Sequence, residues 1–345
     1  MPDAPVLHAA AALEFCTAVL VRAGYRREDA DLCADSLVES SLRGIDSHGV
    51  TTLLPTFARS ALEGSVDTGA SPEVVSRRGA AAVVDGRRAP ALATGQLAAR
   101  TGAGLAREHG VGAVVAREVG YLGALWWLVE PQARDGLIAL AACNSLACVA
   151  PHGGREALHG TNPIAVAVPQ EPDPIVFDTR TNALRMADYW RSVSTGAVLP
   201  DGTLILPDGT PTAEAGDVDC AVYLPLAGAR GYGLALVVDV LAPALAGGPI
   251  GREVDSDNAA SAFFLVLDPG AFDAGFTDSV CRLADQAHMT APLEGTAVRL
   301  PGERGFAERR LRLESGIPVD PIIWRRMDEA LAELGLAVPS PLAAR

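Results

Sequence analysis

Residues 137–179 read LIALAACNSLACVAPHGGREALHGTNPIAVAVPQEPDPIVFDT, and this stretch sets the fold class. Three short apolar runs, LIALAAC (137–143), IAVAVP (164–169) and PIVFDT (174–179), are bounded by turn-forming residues and read as buried strands. Between the first two lies PHGGREALHGTNP (151–163), a polar, glycine-rich loop suited either to ligand contact or to plain turns. Upstream, AAAVVDG (80–86) and GAVVAR (112–117) repeat the strand pattern, and helix-like segments near 90–109 and 122–134 alternate with them. Such alternation predicts an α/β protein. Downstream, SAFFLVLD (261–268) reads as one more buried strand.

The flanks have a different texture. Residues 8–22 and 28–43 carry apolar positions at three- and four-residue spacing, with Gly24 and Gly44 where helix C-caps belong. A third helix runs from after Asp46 to about Ala61, followed by the loop EGSVDTGASPE (63–73). GAVLPDGTLILPDGTPT (196–212), with two Asp-Gly pairs, is expected to be a hairpin or an arm on the surface. GYGLALVVDVLAPALAGG (231–248) is an apolar helix for the core or a subunit contact. The ending, ERRLRLESGIPVDPIIWRRMDEALAELG (308–335), gives two helices split by Gly316 and Pro318.

Composition narrows the function. With 345 residues, 49% hydrophobic and 20% charged, the chain can bury one large core or two unequal ones. A net charge of −14 and a pI near 4.9 argue against nucleic-acid or anionic-membrane partners and for a small-molecule ligand. All 28 basic residues are arginine, so Schiff-base catalysis and a P-loop lysine are excluded. The six scattered cysteines indicate neither a disulfide framework nor a metal site. The start, MPDAPVLHAAAALEF, has an acidic residue where a secretion signal needs basic ones, and the longest uncharged run (136–154) contains Asn144 and Pro151. A cytoplasmic protein with no membrane span is expected.

The chemistry is less obvious. No GxGxxG follows a strand; the nearest match, GAGLAR (102–107), lies inside a helical pattern and ends in arginine. GARGYG (228–233) precedes a helix and carries Arg230, which suits phosphate contact at a helix N-terminus or, equally, a tight packing loop. His8, His109 and His288 read as surface or cap residues. Asp46, Ser47 and His48 are consecutive and polar between helices, where spacing alone leaves capping and catalysis both open.

LRGIDSHGV (42–50), APHGGREALHGTNPIAVAVP (150–169), LPLAGARGYGLALVVDVLA (224–242) and ESGIPVDPIIW (314–324) together resemble the type-2 malate/L-lactate dehydrogenase family. That family includes ureidoglycolate, sulfolactate and diketogulonate dehydrogenases and Δ1-piperideine-2-carboxylate reductases. The likeness runs in order from about residue 8 to 336. It implies a homodimer in which a mixed-sheet NAD(P)-binding domain, unlike the usual Rossmann unit, is joined to a helical domain. On this resemblance residues 1–75 and 300–345 form the helical domain, and 76–299 the α/β domain with the 196–212 arm.

The resemblance also implies a site. Ser47, His48 and Asp188 match a proton relay, a role that suits an imidazole of ordinary pKa near 6.5 held by a carboxylate. Tyr121, in GYLG (120–123), replaces the family's second active-site histidine. Leu122, Gly123, Asn144, Thr161, Asp178, Thr179, Arg180, Arg230, Gly302 and Arg304 fall on cofactor-binding positions, and Thr52, His152 and Asn162 on substrate positions. Four departures are expected to matter: Thr52 for an arginine, Tyr121 for histidine, Leu146 for serine and Arg230 for lysine, along with DTRTN (178–182) for D-M-A-T-S. Losing a desolvated arginine–carboxylate pair costs about 2–5 kcal/mol, which would end recognition of a simple 2-oxo acid through Thr52's position. The implied activity is NAD(P)-dependent reduction of a C=N or C=O bond in a small, specialised metabolite. The alternative is a scaffold repurposed for non-redox acid–base chemistry, as an isomerase, cyclase or lyase.

Overall fold

The computed structural model describes residues 5–256 and 259–342, so the outermost residues of the two helical ranges fall outside the described residues. A short strand β1 (Val6–Leu7) leads into helices α1 (Ala9–Arg22) and α2 (Arg27–Leu42). Each helix is released by a glycine with left-handed backbone, Gly24 at φ +105° and Gly44 at φ +70°. After a 3₁₀ turn at Asp46–His48 come α3 (Val50–Leu62), β2 (Glu73–Arg78), β3 (Ala81–Asp85), α4 (Ala91–His109), β4 (Val111–Val119) and α5 (Trp126–Arg134). Then follow β5 (Ile138–Cys143), β6 (Ile164–Val168), β7 (Ile175–Thr179), α6 (Met186–Thr195) and the short strands β8 (Leu204–Ile205), β9 (Pro211–Thr212) and β10 (Val222–Tyr223). Helix α7 (Ala229–Asp239) runs on as a π-helical turn, and β11 (Ala260–Leu267), α8 (Phe276–His288), α9 (Glu303–Ser315), β12 (Ile317–Pro318) and α10 (Pro321–Glu333) close the chain.

Seven strands form one sheet in the order β2-β3-β4-β11-β5-β6-β7. Only β3 and β4 run parallel; every other neighbouring pair is antiparallel. The sheet is therefore mixed, and its single βαβ crossover among the described residues, β3–α4–β4, has GRRAP (86–90) where a dinucleotide site of the usual kind has GxGxxG. Strand β11 lies at its centre, which explains why SAFFLVLD is almost wholly buried. Helices α4 and α5 cover one face, sharing a core with Val114, Ala141, Phe264 and Val266. A Cβ on Gly112 would strike the backbone of Gly102, so these two glycines let α4 lie close on β4. Close packing is thus the role of the GAGLAR glycine.

A second core joins the two ends of the chain. Helices α1, α2, α3 and α10 pack around Leu20, Leu37, Leu54 and Met327, and the rings of Phe15 and Trp324 lie 5.7 Å apart. Strand β1 pairs antiparallel with β12 beside them. Two details cross the boundaries expected between the helical and α/β parts: β2 begins at Glu73, and Phe306 of α9 packs in the sheet's core.

The 196–212 excursion is more than a surface arm. Its hairpin β8–β9 gains a third strand, β10, and Leu199 and Leu204 are buried with Leu184 in a small core of their own. Helix α7 is split by side. Ala235 and Val238 are buried, but Leu234, Leu236, Val237, Val240 and Leu245 are exposed on the single chain. Among the described residues no helix is long and apolar enough to cross a membrane.

Candidate active site

The turn at residues 46–48 does not cap the helix that follows it. Helix α3 has Gly49 as its N-cap, and the amide of Val50 donates to Ser41 Oγ at 3.0 Å. A Cβ at Gly49 would run into that same Ser41 hydroxyl, so glycine is required there. Ser47 and His48 are thereby free of capping, and Ser47 Oγ lies 3.0 Å from His48 Nδ1. The turn is fastened from behind by α9, whose Arg312 donates to Ser41 O at 2.6 Å and to Asp46 Oδ1 at 3.0 Å.

His48 faces a cleft of about 780 Å³ between the helical core and the sheet. Its imidazole is pushed down to about 4, first by burial and then by the positive charge of Arg180. At pH 7 the ring is neutral. Across the cleft, Asp178 at the end of β7 accepts from the amide of Trp126 at 2.8 Å, capping the start of α5. Burial raises its carboxyl to about 6 although the Trp126 and Leu125 amides favour the charged form.

The depressed histidine has a measurable consequence. A base whose folded pKa lies below its unfolded value binds protons better when unfolded, so its contribution to stability is complete above about pH 6.5 and is lost as pH falls towards 4. Titration of the His48 ring signals by NMR is expected to give a midpoint near 4. A midpoint at the ordinary 6.5 would show the ring to be solvated.

Of the residues singled out from sequence, Ser47, His48, Thr52 and Tyr121 line the cleft, as do Leu122, Gly123, Asn144, Thr161, Asp178, Thr179, Arg180 and Arg304. Thr52 Oγ1 donates to Asp46 O at 2.9 Å. Asn144 is tied into the scaffold, accepting from the Ser261 amide at 2.7 Å and donating to Pro249 O at 3.2 Å.

Other positions lie elsewhere. Asp188 sits on α6, which packs beside the 46–48 turn, but its carboxylate accepts from Arg185 at 2.6 and 2.7 Å and from Arg191 at 3.0 Å rather than from His48. Asn162, fully buried, donates to Asp239 Oδ1 at 2.9 Å, while His159 Nδ1 lies 2.6 Å from Asp239 Oδ2. It braces the loop against α7 and does not reach the cleft. Arg230 and His152 are exposed and outside the cleft lining, and Gly302 packs on Val176 at its edge. Leu146 is 38% exposed. Only Thr52 and Tyr121 of the four departures therefore face the cleft, which corrects the expectation that all of them do.

Sequence reasoning missed one wall altogether. Arg185, the N-cap of α6, and Met186, Trp190 and Arg191 within it, backed by the small Leu184–Leu204 core, line the cleft beside the 46–48 turn. The signal was present as Arg185-x-x-Asp188-x-x-Arg191, charges at helical i, i+3 spacing. Residues 317–320, brought in by the β1–β12 pairing, were missed because that pairing joins opposite ends of the chain.

The candidate site is a Ser–His pair set in the cleft between a mixed sheet and a helical layer, an arrangement suited to proton transfer. The sequence profile of the malate/L-lactate dehydrogenase family matches residues 7–328, and the chain belongs to that family of NAD(P)-dependent oxidoreductases. It is 34% identical over 317 residues to a Δ1-pyrroline-2-carboxylate/Δ1-piperideine-2-carboxylate reductase of Pseudomonas putida, covering 88% of this chain and 90% of that protein. A Pyrococcus horikoshii malate dehydrogenase is 30% identical, covering 94% and 93% of the two chains. The crystal structure of Δ1-piperideine-2-carboxylate reductase from Pseudomonas syringae superposes with a TM-score of 0.83 at 32% identity, over 94% of this chain and 99% of that one.

Proposed function

We propose that the protein reduces a C=N or C=O bond of a small, specialised metabolite, with His48 passing the proton and NADH or NADPH as the cofactor. The carrying observation is the Ser47–His48 pair, free of capping and facing a cleft large enough for both a nicotinamide and a small acceptor. The 34% identical relative named as a cyclic-imine carboxylate reductase supports imine reduction in particular.

The residues present fit such a cofactor. Arg304 lies in the first turn of α9, where helix N-terminal amides favour phosphate, and among the described residues no carboxylate pairs with it. Asn182 Oδ1 and Trp190 Nε1, both at the cleft, are buried without hydrogen-bond partners. We assign Leu122, Gly123, Thr161, Asp178, Thr179 and Arg304 to holding it. When bound, the nicotinamide supplies the hydride.

The chain's own residues manage the proton. Ser47 orients the His48 ring through Nδ1; with Nδ1–H donating to the Ser47 hydroxyl, Nε2 takes a proton from water and passes it to the acceptor. Tyr121, whose phenol carries an O–H, polarises the acceptor as a hydrogen-bond donor. Asp188 acts at one remove, by holding Arg185 and Arg191 in the cleft wall. We further propose a homodimer, supported by the exposed apolar face of α7, and a division of labour between the helical part (1–75, 300–345) and the α/β part (76–299) with the cleft between them.

Fluorescence titration is expected to show NADH or NADPH binding, and Δ1-pyrroline-2-carboxylate or Δ1-piperideine-2-carboxylate to drive its oxidation. Failure to bind either nucleotide removes the reading. Non-redox acid–base chemistry would use the same His48 and Tyr121; turnover by nucleotide-free protein would establish it instead.

A further inference from the structure

Four arginines line the cleft: Arg180, Arg185, Arg191 and Arg304. Arg185 and Arg191 share Asp188, whose single negative charge offsets one of the two. The other two form no ion pair among the described residues, although Arg180 feels the Asp188 charge at longer range, and they stand at opposite ends of β7. The loop carrying Arg304 lies beside Val176, whose amide donates to Pro301 O at 3.0 Å. Arg180 follows the other end of the strand, roughly 13 Å away at about 3.3 Å per residue. One unpaired cation thus stands where a dinucleotide phosphate fits, and the second stands on the His48 side.

We propose that Arg180 is the specificity-determining residue for the substrate, binding a carboxylate and presenting the adjoining C=N or C=O carbon to His48. The inference deepens the redox reading and rests on it for turnover. The guanidinium of Arg180 is already oriented for such a grip. Nε donates to Leu184 O at 3.0 Å and Nη2 to Ala183 O at 3.4 Å, which fixes the plane, while Nη1 makes no hydrogen bond among the described residues. A half-buried, anchored cation loses little entropy on gripping a carboxylate, and the planar fork favours that shape of anion over a point charge. The position matters because Thr52, where an arginine was expected for this purpose, has its hydroxyl engaged with the Asp46 carbonyl and carries no charge. The anion site has moved from the helical side of the cleft to the sheet side. An anion seated on Arg180 also offsets the smaller of the two effects that lower the His48 pKa, the first being burial, so binding the substrate favours protonation of the ring.

The test compares the whole wild-type protein with Arg180→Gln and Arg180→Lys. With NADPH as reductant, the preference in kcat/KM for Δ1-pyrroline-2-carboxylate over uncharged Δ1-pyrroline is expected to fall at least about 30-fold in Arg180→Gln, the equivalent of one desolvated ion pair. KM for NADPH should stay within about twofold, and Arg180→Lys should recover part of the preference. An unchanged preference, or a loss that appears in the NADPH KM alone, overturns the proposal. A second arm needs no turnover and so separates this proposal from the redox reading. Thermal-shift titration with benzoate and its uncharged isostere benzamide is expected to show selective stabilisation of wild type by benzoate, abolished in Arg180→Gln. Equal responses of the two proteins to benzoate overturn the assignment even if no reduction is ever observed. Both variants should fold, since Arg180 bonds only two backbone carbonyls and forms no ion pair among the described residues.

Discussion

Replacing His48 by alanine is expected to lower kcat for NAD(P)H-dependent reduction by about 10²- to 10⁴-fold, the usual contribution of a positioned acid–base group. Nucleotide affinity should be unaffected, because the ring bonds to Ser47 and stands apart from the Arg304 loop. Removing Ser47 instead deletes a single neutral hydrogen bond, worth about 1 kcal/mol, so Ser47→Ala should cost only about fivefold. The ratio between these two losses separates a proton carrier from a packing residue. Steady-state kinetics with fluorescence-measured nucleotide binding checks both numbers. A His48→Ala protein with more than a tenth of wild-type kcat would transfer the acid role to Tyr121.

Stability has its own weak point, at Arg43. This side chain is 8% exposed, pairs with Glu130 at 2.6 Å, and lies 3.9 Å from the Trp126 ring centroid and 4.6 Å from that of Phe306. It joins α2 to α5 and α9, so three elements that meet beneath the cleft depend on it. Truncating one partner of a buried pair costs about 3–5 kcal/mol, because the other charge is left without compensation. Glu130 keeps Arg134 at 2.8 Å, but that arginine is half exposed, which places Arg43→Ala near the lower end, at about 3 kcal/mol. Exchanging both partners for apolar residues, Arg43→Met with Glu130→Leu, should recover most of the loss. Urea midpoints at constant slope measure it, and a loss below about 1 kcal/mol would mean that Arg134 alone satisfies the carboxylate.

Six of the sheet's seven strands were legible because local rules governed them; β2, an exposed edge strand, carries no apolar run and was not read. Apolar runs such as IAVAV and AFFLVL pack between neighbours on both sides, and their ends are marked by Pro, Gly and Asp. Helix ends at Gly24 and Gly44 followed from the backbone angles only glycine adopts readily. Ser47 and His48 were visible as neighbours in sequence, but their freedom from capping was not, since the hydroxyl that accepts from the first amide of α3 belongs to Ser41, at the end of the preceding helix. Asp188 shows the same limit. It was matched by position to the relay, yet its oxygens go to Arg185 and Arg191, whose i, i+3 geometry takes precedence over a more distant imidazole. The β1–β12 ladder was hidden because two-residue strands carry no periodicity, and only three-dimensional closure brings Val6 opposite Pro318.

That closure bears on how the protein is made. Helices α1 to α3 emerge from the ribosome early, but Trp324, Met327 and Leu331, which seal their apolar sides, are translated only after the whole sheet. At ordinary elongation rates the nascent bundle waits on the order of tens of seconds with its inner surface uncovered. Newly synthesised chains are therefore a natural client for chaperones, and a stalled or prematurely released chain would yield a sticky fragment instead of a partly working enzyme.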